Sequence, residues 1–394
     1  MNFIYISPNF PENHWYFCRR LRDNGVNVLG IGDCPYDQLS GNLKGALTEY
    51  YKVDLLEHYD EVYRAVAYFI HKYGRIDYLE SNNEYWLEKD AALRQDFHIT
   101  SGFQPADMAP VKQKSRMKEG YAAAGIPAAL YHLVDNRAGC LAFIQKVGYP
   151  VIVKPDNGVG AVSTYRINCE ADLDSFLARK DDTQYIMEEY IDGTIVSYDA
   201  IIDSHGAPLL EAGNVTLGSL MDIVNEQRSC RLMIRDRLPE ALRDMGRAAV
   251  KAFGVKKRMV HFEFFQLNRD QRIGKAGDYV GLEVNMRPCG GIVPSMINYA
   301  YSTDVYQIWA DMIVYDSSLK TQGQRQFCAL AGRRSSRNYV MSFDDIRRTY
   351  GGSIVEEGPV DAALATDLGD YAFIARLPSL EAVMDFLDRS LAER

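Results

Sequence analysis

Two short segments with alternating side chains, close together in the second half of the chain, constrain its fold most strongly. Residues 260–264 and 281–288 have the pattern of β-strands, in which every second side chain points to the same face. Residues 269–277 between them are polar and include two glycines, as is typical of the turn in a hairpin. We therefore predict a hairpin with one face in a core, formed by Val260, Phe262, Phe264, Leu282, Val284 and Met286. The other face carries His261, Glu263, Glu283, Asn285 and Arg287.

The polar face of this hairpin has the chemistry of a divalent-cation site. Mg²⁺ prefers oxygen ligands and commonly uses one or two carboxylates together with substrate phosphates. Glu263, Glu283 and Asn285 meet that requirement, and Arg287 lies one strand repeat further on, where it can bind phosphate oxygens. Taken alone, the same pattern fits a solvated charged face on an edge hairpin equally well.

Composition excludes several classes of protein. A chain of 394 residues is long enough for two or three lobes with substantial cores. The net charge of −9 argues against a nucleic-acid-binding protein, which would carry a basic stripe. The seven cysteines form no CxxC pair, which argues against a disulfide framework or a zinc knuckle. We find no signal peptide and no apolar run long enough to span a membrane, so we expect a cytoplasmic protein.

The first third of the chain predicts a small α/β domain. Strand patterns at 3–6, 26–31, 51–53 and 76–80 alternate with helical ones, which favours a parallel sheet covered by helices. The turn after the first strand, residues 7–11, lacks the glycines of a dinucleotide-binding loop. Glycine and prolines in 101–111 indicate a linker, and we place the first domain boundary there.

The middle of the chain contains three segments that suggest a nucleotide site. A predicted helix over 112–124 places Lys114 in its first turn, where a cation is unfavourable unless an anion neutralises it. A buried strand ends at Lys154-Pro155, before a loop that contains Gly158, Gly160 and Ser163 and whose amides can close over phosphates. A further strand, 184–189, ends in two acids, and Glu188 can accept from an adenine amino group. Each segment alone is as well explained by an ordinary turn or an exposed side chain.

Taken together, these motifs resemble the ATP-grasp superfamily. The motifs occur in the order that is typical of its carboxylate–amine ligase branch: Lys114, Lys154-Pro155, residues 187–193, Glu263 and the 283–288 segment. That branch includes dipeptide-forming ligases and relatives of carbamoyl phosphate synthetase. The resemblance implies an α/β protein with a Rossmann-like domain at 1–107, an ATP-grasp domain at 112–316 and an α+β segment at 317–394 that completes the large lobe. The small lobe would cover about 118–187 and the large lobe about 188–316.

The resemblance also implies a role for each matching residue. Lys114 and Lys154 would contact the phosphates of ATP, with residues 158–163 as a lid that includes Gly158, Gly160 and Ser163. Glu188 would meet the adenine amine, and Tyr190 and Ile191 would contribute main-chain contacts. Glu263, Glu283 and Asn285 would hold Mg²⁺, for which Mn²⁺ can substitute, and Arg287 together with Lys154 would act on the acyl phosphate. The family often has a ribose-binding glutamate after the hinge glycine, but this chain has Thr194-Ile195, and Asp199 is the alternative.

The implied activity is ATP-dependent joining of a carboxylic acid to an amine or thiol through an acyl phosphate, with ADP and phosphate released. The alternatives are a carboxylase-like or kinase-like enzyme that phosphorylates another acid, and a nucleotide-binding regulatory protein without catalysis. We expect small acids and amines as substrates, amino acids among them, and a homodimer on grounds of frequency alone. His261 and Arg228 are candidates for the acceptor side.

Two other features are interpreted as structural. Cys289 has no base near it in sequence, so a structural thiol is favoured over a nucleophile. Arg333, Arg334 and Arg337 form a dense basic cluster that either receives a substrate carboxylate or lies on a surface, and the second interpretation is favoured. The pattern predicts strands at 327–334, 354–355 and 371–374 and a last helix over 379–391.

Overall fold

The structure, a computed structural model, describes residues 1–158, 163–218, 226–320 and 322–394. Its N-terminal domain consists of β1 (Asn2–Ile6), α1 (Trp15–Asp23), β2 (Asn27–Gly32), α2 (Gly41–Ala46), β3 (Glu49–Lys52), α3 (Tyr59–Tyr73), β4 (Tyr78–Glu80) and α4 (Leu87–Asp96). The strands pair in parallel in the order β3-β2-β1-β4. The parallel α/β sheet predicted for this part is therefore confirmed.

The segment predicted to be a linker is in large part helical. A short helix, α5 (Met108–Lys112), is followed at once by α6 (Lys114–Ala123), which begins two residues later than predicted. Pro110 lies in the first turn of α5, where a proline is tolerated because no intrahelical N–H bond is lost. Lys112 is buried because its Nζ donates to the side chain and the carbonyl of Glu84, at 2.8 and 3.1 Å.

The small lobe is an antiparallel sheet with two helices on one face. It comprises β5 (Tyr131–Leu133), α7 (Arg137–Val147), β6 (Val151–Pro155), β7 (Tyr165–Ile167), α8 (Glu170–Arg179) and β8 (Tyr185–Glu189), with the strand order β5-β8-β6-β7. Val151, Val153 and Met187 pack against the helices. Because side chains alternate along strands, Lys154 and Glu188 lie on the opposite face.

The large lobe is built on one nine-stranded sheet. Its elements are β9 (Gly193–Ile202), β10 (Pro208–Ala212), β11 (Asn214–Thr216), β12 (Cys230–Ile234), α9 (Glu240–Ala252), β13 (Arg258–Leu267), β14 (Tyr279–Asn285), α10 (Val293–Tyr301), α11 (Val305–Tyr315), β15 (Phe327–Arg333), α12 (Phe343–Tyr350), β16 (Ile354–Pro359), α13 (Ala365–Leu368), β17 (Tyr371–Leu377) and α14 (Leu380–Ser390). The strand order is β14-β13-β9-β11-β12-β15-β17-β16, with β10 paired to β9. The C-terminal strands thus extend the same sheet.

In the hairpin of β13 and β14, the side chains point to the predicted faces of the sheet, with one exception. Val260, Phe262 and Phe264 are fully buried against the helical side of the sheet, while Glu263 pairs directly with Glu283 across the ladder. A bulge follows, because Phe264 pairs with Gly281 and leaves the residue between unpaired. Leu282, predicted to lie in the core, therefore lines the cavity described below.

Aromatic rings join the N-terminal domain to the helices of the large lobe. Phe17 lies 4.8 Å from Tyr306 and 5.0 Å from Trp309, measured between ring centroids, and Phe3 lies 5.8 Å from Trp309. These edge-to-face contacts belong to a single buried cluster that spans both parts of the chain. Within the described ranges, no helix has the length and apolar character needed to span a membrane.

A buried ionic network reinforces this contact. Glu80, at the end of β4, accepts from Arg94 of its own domain at 2.9 Å and from Arg258 of β13. Burial opposes ionisation of Glu80, but the two guanidinium groups outweigh it and keep its pKa below the ordinary value. The carboxylate therefore pairs with two buried cations, one from each part of the molecule.

Replacing Glu80 with the isosteric glutamine should remove the carboxylate that pairs with both buried arginines. We expect Glu80→Gln to lower the free energy of unfolding by about 3–5 kcal/mol, as measured by urea unfolding. Glu119→Gln is the control, because Glu119 forms an exposed pair with Arg116 on α6 and such pairs contribute little. Equal stability of the two variants would contradict a structural role for the network.

Candidate active site

A cavity of about 370 Å³ lies between the small lobe, α6 and the large lobe. Its walls contain nine of the residues that the sequence analysis assigned to ATP, Mg²⁺ or the acyl phosphate: Lys114, Lys154, Glu188, Tyr190, Ile191, Glu263, Glu283, Asn285 and Arg287. They come from α6, β6, β8, the connection between the lobes and the β13–β14 hairpin with the residue that follows it. The structure thus brings residues that are far apart in the sequence to the walls of one cavity.

Three ammonium groups occupy one side of the cavity. Lys114 and Lys118 are four residues apart on α6 and share a face of that helix, while Lys154 ends β6. Lys118 and Lys154 bracket Glu188, with Nζ–Oε distances of 2.6 and 2.7 Å. Lys118 was missed by the sequence analysis, although its spacing from Lys114 was a signal that it would share the same helix face.

Two carboxylates and an amide face these cations. Glu263 and Glu283 are directly opposite each other across the hairpin, and Oε1 of Glu283 lies 3.3 Å from Nζ of Lys114. Like charges opposite one another destabilise a strand pair unless a cation lies nearby. The Asn285 side chain lies on the cavity wall and makes no hydrogen bond within the part of the chain that the structure describes. This set of oxygen donors fits a hard divalent cation such as Mg²⁺.

The surroundings of Glu263 keep it ionised. Burial acts to raise its carboxyl pKa, but the hydrogen bond with His261 and the charges of Arg287 and Lys154 outweigh burial and lower it. Lys154 responds in the opposite direction, because Glu188, Glu283 and Glu263 overcome the effect of its burial and raise its pKa. Both groups are thus held in their charged forms, as electrostatic binding of a phosphate and a metal requires.

The N-terminal domain contacts Arg287, a residue of the cavity wall, through Glu84. Its Oε2 lies 3.6 Å from Nε of Arg287, and its Oε1 accepts from Lys112. The Arg287 side chain also donates to the carbonyl of Pro288 at 2.8 Å. These contacts hold the guanidinium at the edge of the acidic face.

The opposite end of the cavity suits a flat apolar ring. Tyr190 and Ile191 lie in the connection between β8 and β9, and the Arg166 guanidinium stacks 4.7 Å from the Tyr190 ring centre. Ile195 and Phe265 complete the apolar wall. Ile195 therefore lies on the wall near the position at which related enzymes often have a ribose-binding glutamate.

Asp199, the sequence-based alternative for ribose binding, lies beneath the cavity instead of on its wall. It is fully buried, and its Oδ1 lies 2.7 Å from Nδ1 of His261. Its Oδ2 accepts from Ser197 and, at 3.3 Å, from Asn214. Because the carboxylate is fully engaged below His261, the structure does not support a ribose contact by Asp199.

Of the predicted phosphate lid, the structure describes only the two ends. The carbonyl of Gly158 accepts from Nζ of Lys114 at 3.0 Å, which ties the start of the lid to α6. Ser163 is exposed and has a left-handed backbone with φ of 58°. Neither residue is on the cavity wall, and Gly160 lies outside the described residues.

The remaining candidates separate clearly. Arg333 is buried and donates to the carbonyls of Ser390 and Met341, at 2.9 and 2.6 Å, which is a structural role. The cavity wall includes His261. It does not include Arg228 or any of the three clustered arginines, Arg333, Arg334 and Arg337. Cys289 lies on the wall with its Sγ 3.6 Å from Nε2 of His261, a contact hidden in the sequence because 28 residues separate the two.

No protein-family model matches the sequence. Curated relatives include the D-alanine--D-alanine ligase A of Clostridium perfringens, which is 44% identical over 69 residues, or 17% of this chain and 23% of that relative. The L-arginine-specific L-amino acid ligase of Bacillus subtilis is 23% identical over 263 residues. The match covers 64% of this chain and 62% of that relative, so the chain spans less than two thirds of the relative's length.

Solved structures match over nearly the whole chain. The L-amino acid ligase of Bacillus licheniformis has a TM-score of 0.73 at 15% identity and covers 99% of this chain and 96% of its own. The biotin carboxylase domain of the Hydrogenobacter thermophilus 2-oxoglutarate carboxylase, solved with MgADP and bicarbonate, has a TM-score of 0.65 at 14% identity, with coverages of 97% and 88%. The chain has the ATP-grasp fold, as the sequence motifs predicted. Both the Bacillus subtilis relative and the first of these structures are L-amino acid ligases.

The ionic cluster at Glu188 should make stability depend on pH in a defined direction. Burial opposes ionisation, but Lys118 and Lys154 outweigh it and lower the pKa of Glu188 to about 2, below the value of about 4.3 for an unfolded glutamate. Ionised Glu188 therefore stabilises the fold above about pH 4.3, and this contribution is lost as the pH falls towards about 2.

We expect Glu188→Gln to reduce the free energy of unfolding by about 3 kcal/mol near neutral pH, because a shift of about two pKa units is worth that much. The difference between wild type and variant should shrink as the pH is lowered through about 4.3. Urea unfolding of both proteins over a pH series measures this difference in the free energy of unfolding. A difference that stays constant with pH would show that the carboxylate is not held ionised by the lysines.

Proposed function

We propose that this protein is an ATP-dependent carboxylate–amine ligase that forms an amide through an acyl phosphate and releases ADP and phosphate. The observation that carries the proposal is the opposition of ammonium groups and carboxylates across one cavity, where Lys114 Nζ lies 3.3 Å from Glu283 Oε1. The L-amino acid ligases reported above support the same reaction class.

The reaction explains why the cavity needs both signs of charge. A carboxylate does not react with an amine at neutral pH because its oxygen is a poor leaving group. Transfer of the γ-phosphoryl group of ATP to the carboxylate makes an acyl phosphate, from which an amine or thiol can displace phosphate. Phosphoryl transfer depends mainly on positioning and charge neutralisation, so no protein nucleophile is required.

The cationic side would bind the phosphates. Lys114 and Lys154 lie where they can pair with phosphate oxygens, and Lys118 pairs with Glu188 together with Lys154. A carboxylate has about four acceptor sites, so Glu188 keeps capacity for the adenine amino group while it aligns the two lysines. The main chain at Tyr190 and Ile191 would meet the ring edge.

The acidic side would hold the divalent cation. Glu263, Glu283 and Asn285 are the residues that would bind Mg²⁺, and Mn²⁺ is expected to substitute for it. When bound, the cation neutralises charge on the phosphate oxygens. Arg287, fixed at the rim by Glu84, would bind the acyl phosphate and stabilise the charge that develops as phosphate leaves.

The remaining part of the cavity would take the substrates. Cys230, Leu232, Leu364 and Leu368 form an apolar wall there, and Asp367 is the acid beside them. Burial raises the pKa of Asp367, against the opposing effect of Arg334. A bound ammonium group would stabilise the ionised form of this carboxyl group. We therefore propose amino acids as substrates, with one amino group received by Asp367. A homodimer stays a prediction that light scattering can test.

Phosphate release with ATP, Mg²⁺ and amino acids, presented singly and in pairs, tests the reaction class. We expect release that depends on an acid and an amine together, with amide product detected by mass spectrometry. Glu283→Gln should reduce turnover at least 100-fold, because it removes a carboxylate that would hold Mg²⁺, and the charge of that ion neutralises the phosphate oxygens.

The fold of Glu283→Gln is checked by its circular dichroism and urea unfolding, which should stay close to those of wild type. Phosphate release with bicarbonate or a single acid alone would favour a carboxylase-like or kinase-like reaction instead. ATP binding without turnover on any acid and amine would contradict a catalytic function, as would full activity of Glu283→Gln.

Asp367→Asn tests the assignment of the amine end. We expect the KM for the amine substrate to rise about tenfold or more, since one charge-assisted hydrogen bond is lost. The KM for ATP serves as the internal control and should stay within about twofold, because the residues assigned to ATP lie on α6, β6 and β8 and in the connection after β8, whereas Asp367 lies on α13. A parallel rise in both KM values would contradict the assignment and indicate a general loss of structure.

A further inference from the structure

Three ligand atoms of different chemistry meet on the cavity wall at His261. Its Nε2 lies 3.6 Å from Sγ of Cys289 and 3.5 Å from Oε1 of Glu263. The imidazole, the thiol and the carboxylate all line the cavity. Nitrogen, sulfur and oxygen together form the donor set of zinc-type metals, whereas Mg²⁺ takes oxygen ligands alone.

The two distances from Nε2 of His261 fit ligands of one metal ion, and ligand atoms of His261, Cys289 and Asp199 lie within 4.8 Å of one another. Zn²⁺ binds nitrogen and oxygen at about 2.0–2.1 Å and sulfur at about 2.3 Å in tetrahedral geometry. At the tetrahedral angle, these bond lengths separate a nitrogen from a sulfur ligand by about 3.5 Å and from an oxygen ligand by about 3.4 Å. The observed distances of 3.6 and 3.5 Å are within about 0.2 Å of these values.

The imidazole is already oriented in the way that metal-bound histidines require. Nδ1 of His261 lies 2.7 Å from Oδ1 of the fully buried Asp199, so Nε2 is the nitrogen that points into the cavity. Ser197 and Asn214 fix the other oxygen of Asp199. A carboxylate behind the imidazole in this way is the common outer-shell partner of a metal-bound histidine.

We propose that His261, Cys289 and Glu263 form a binding site for Zn²⁺ and similar transition metals such as Co²⁺. A fourth coordination position opens to the cavity and is available to water. Because Glu263 also belongs to the proposed Mg²⁺ set, occupancy by Zn²⁺ withdraws that carboxylate from it. The site is therefore inhibitory, and Zn²⁺ and Mg²⁺ exclude each other there.

A second cluster of similar composition supplies a matched control. His132, Asp135 and Cys140 also lie close together in the small lobe. In that cluster Nε2 of His132 already pairs with Asp135 at 2.9 Å, and Cys140 is buried in the core of the lobe. Nε2 of His132 is thus engaged by the exposed carboxylate of Asp135, and none of the three residues lines the cavity.

Co²⁺ titration of the purified protein without ATP or Mg²⁺ tests the proposal by absorption spectroscopy. We expect a thiolate-to-cobalt charge-transfer band together with visible bands of tetrahedral Co²⁺, which saturate at one ion per chain and disappear when Zn²⁺ is added. Cys289→Ser should abolish the charge-transfer band, whereas Cys140→Ser should retain it. Asp199→Asn should weaken the affinity for Co²⁺ about 10–100-fold by releasing the imidazole orientation.

A charge-transfer band that persists in Cys289→Ser, or the absence of saturable Co²⁺ binding to wild type, would overturn the proposal. Urea unfolding of each variant separates a lost site from a lost fold. These measurements do not depend on the proposed function. A separate measurement, which does rest on the proposed function, is the inhibition of phosphate release by Zn²⁺. We expect Zn²⁺ to inhibit Cys289→Ser less than wild type, when each rate is compared with that of the same protein without Zn²⁺.

Discussion

The interaction on which the rest of the structure depends is the balance of opposite charges around a single cavity. Glu188 holds two ammonium groups, and a third lies against Glu283 on the opposite wall. Each charge is costly to bury alone, and each is neutralised here by a group from another element of the fold. The lobes are therefore held in register by the same side chains that would bind a triphosphate. A bound phosphate and metal would exchange one set of ionic contacts for another without leaving a buried charge unpaired.

The strand pattern allowed much of this site to be predicted. Side-chain alternation has a period of two, so residues such as Glu263, Glu283 and Asn285 had to share a face once the hairpin was recognised. The order of motifs then supplied the lysines and the connection between the lobes. The bulge after Glu263 could not be read from periodicity, and it turned Leu282 from the core into the cavity.

Contacts between distant segments were beyond the reach of sequence reasoning. Lys118 looked like an ordinary helix residue until β8 placed Glu188 beside it. Asp199 was a reasonable ribose ligand by position, but its strand lies next to β13, and the adjacent His261 engages it. The same adjacency gives Cys289 a neighbouring imidazole that no local motif indicated. In each case the deciding fact is which strands are neighbours in the sheet, and this is a property of the whole chain.

The short helix α13 and the residue before it contribute to the cavity from a part of the chain that is distant in sequence from its other walls. Leu364, Asp367 and Leu368 border the cavity from a connection between two late strands, far from the segments that carry the lysines and the hairpin carboxylates. That connection can change in length or composition while the phosphate side keeps its shape. Under the proposed function, chains built on this scaffold could therefore differ in the acids and amines that they join while they keep the same site for ATP.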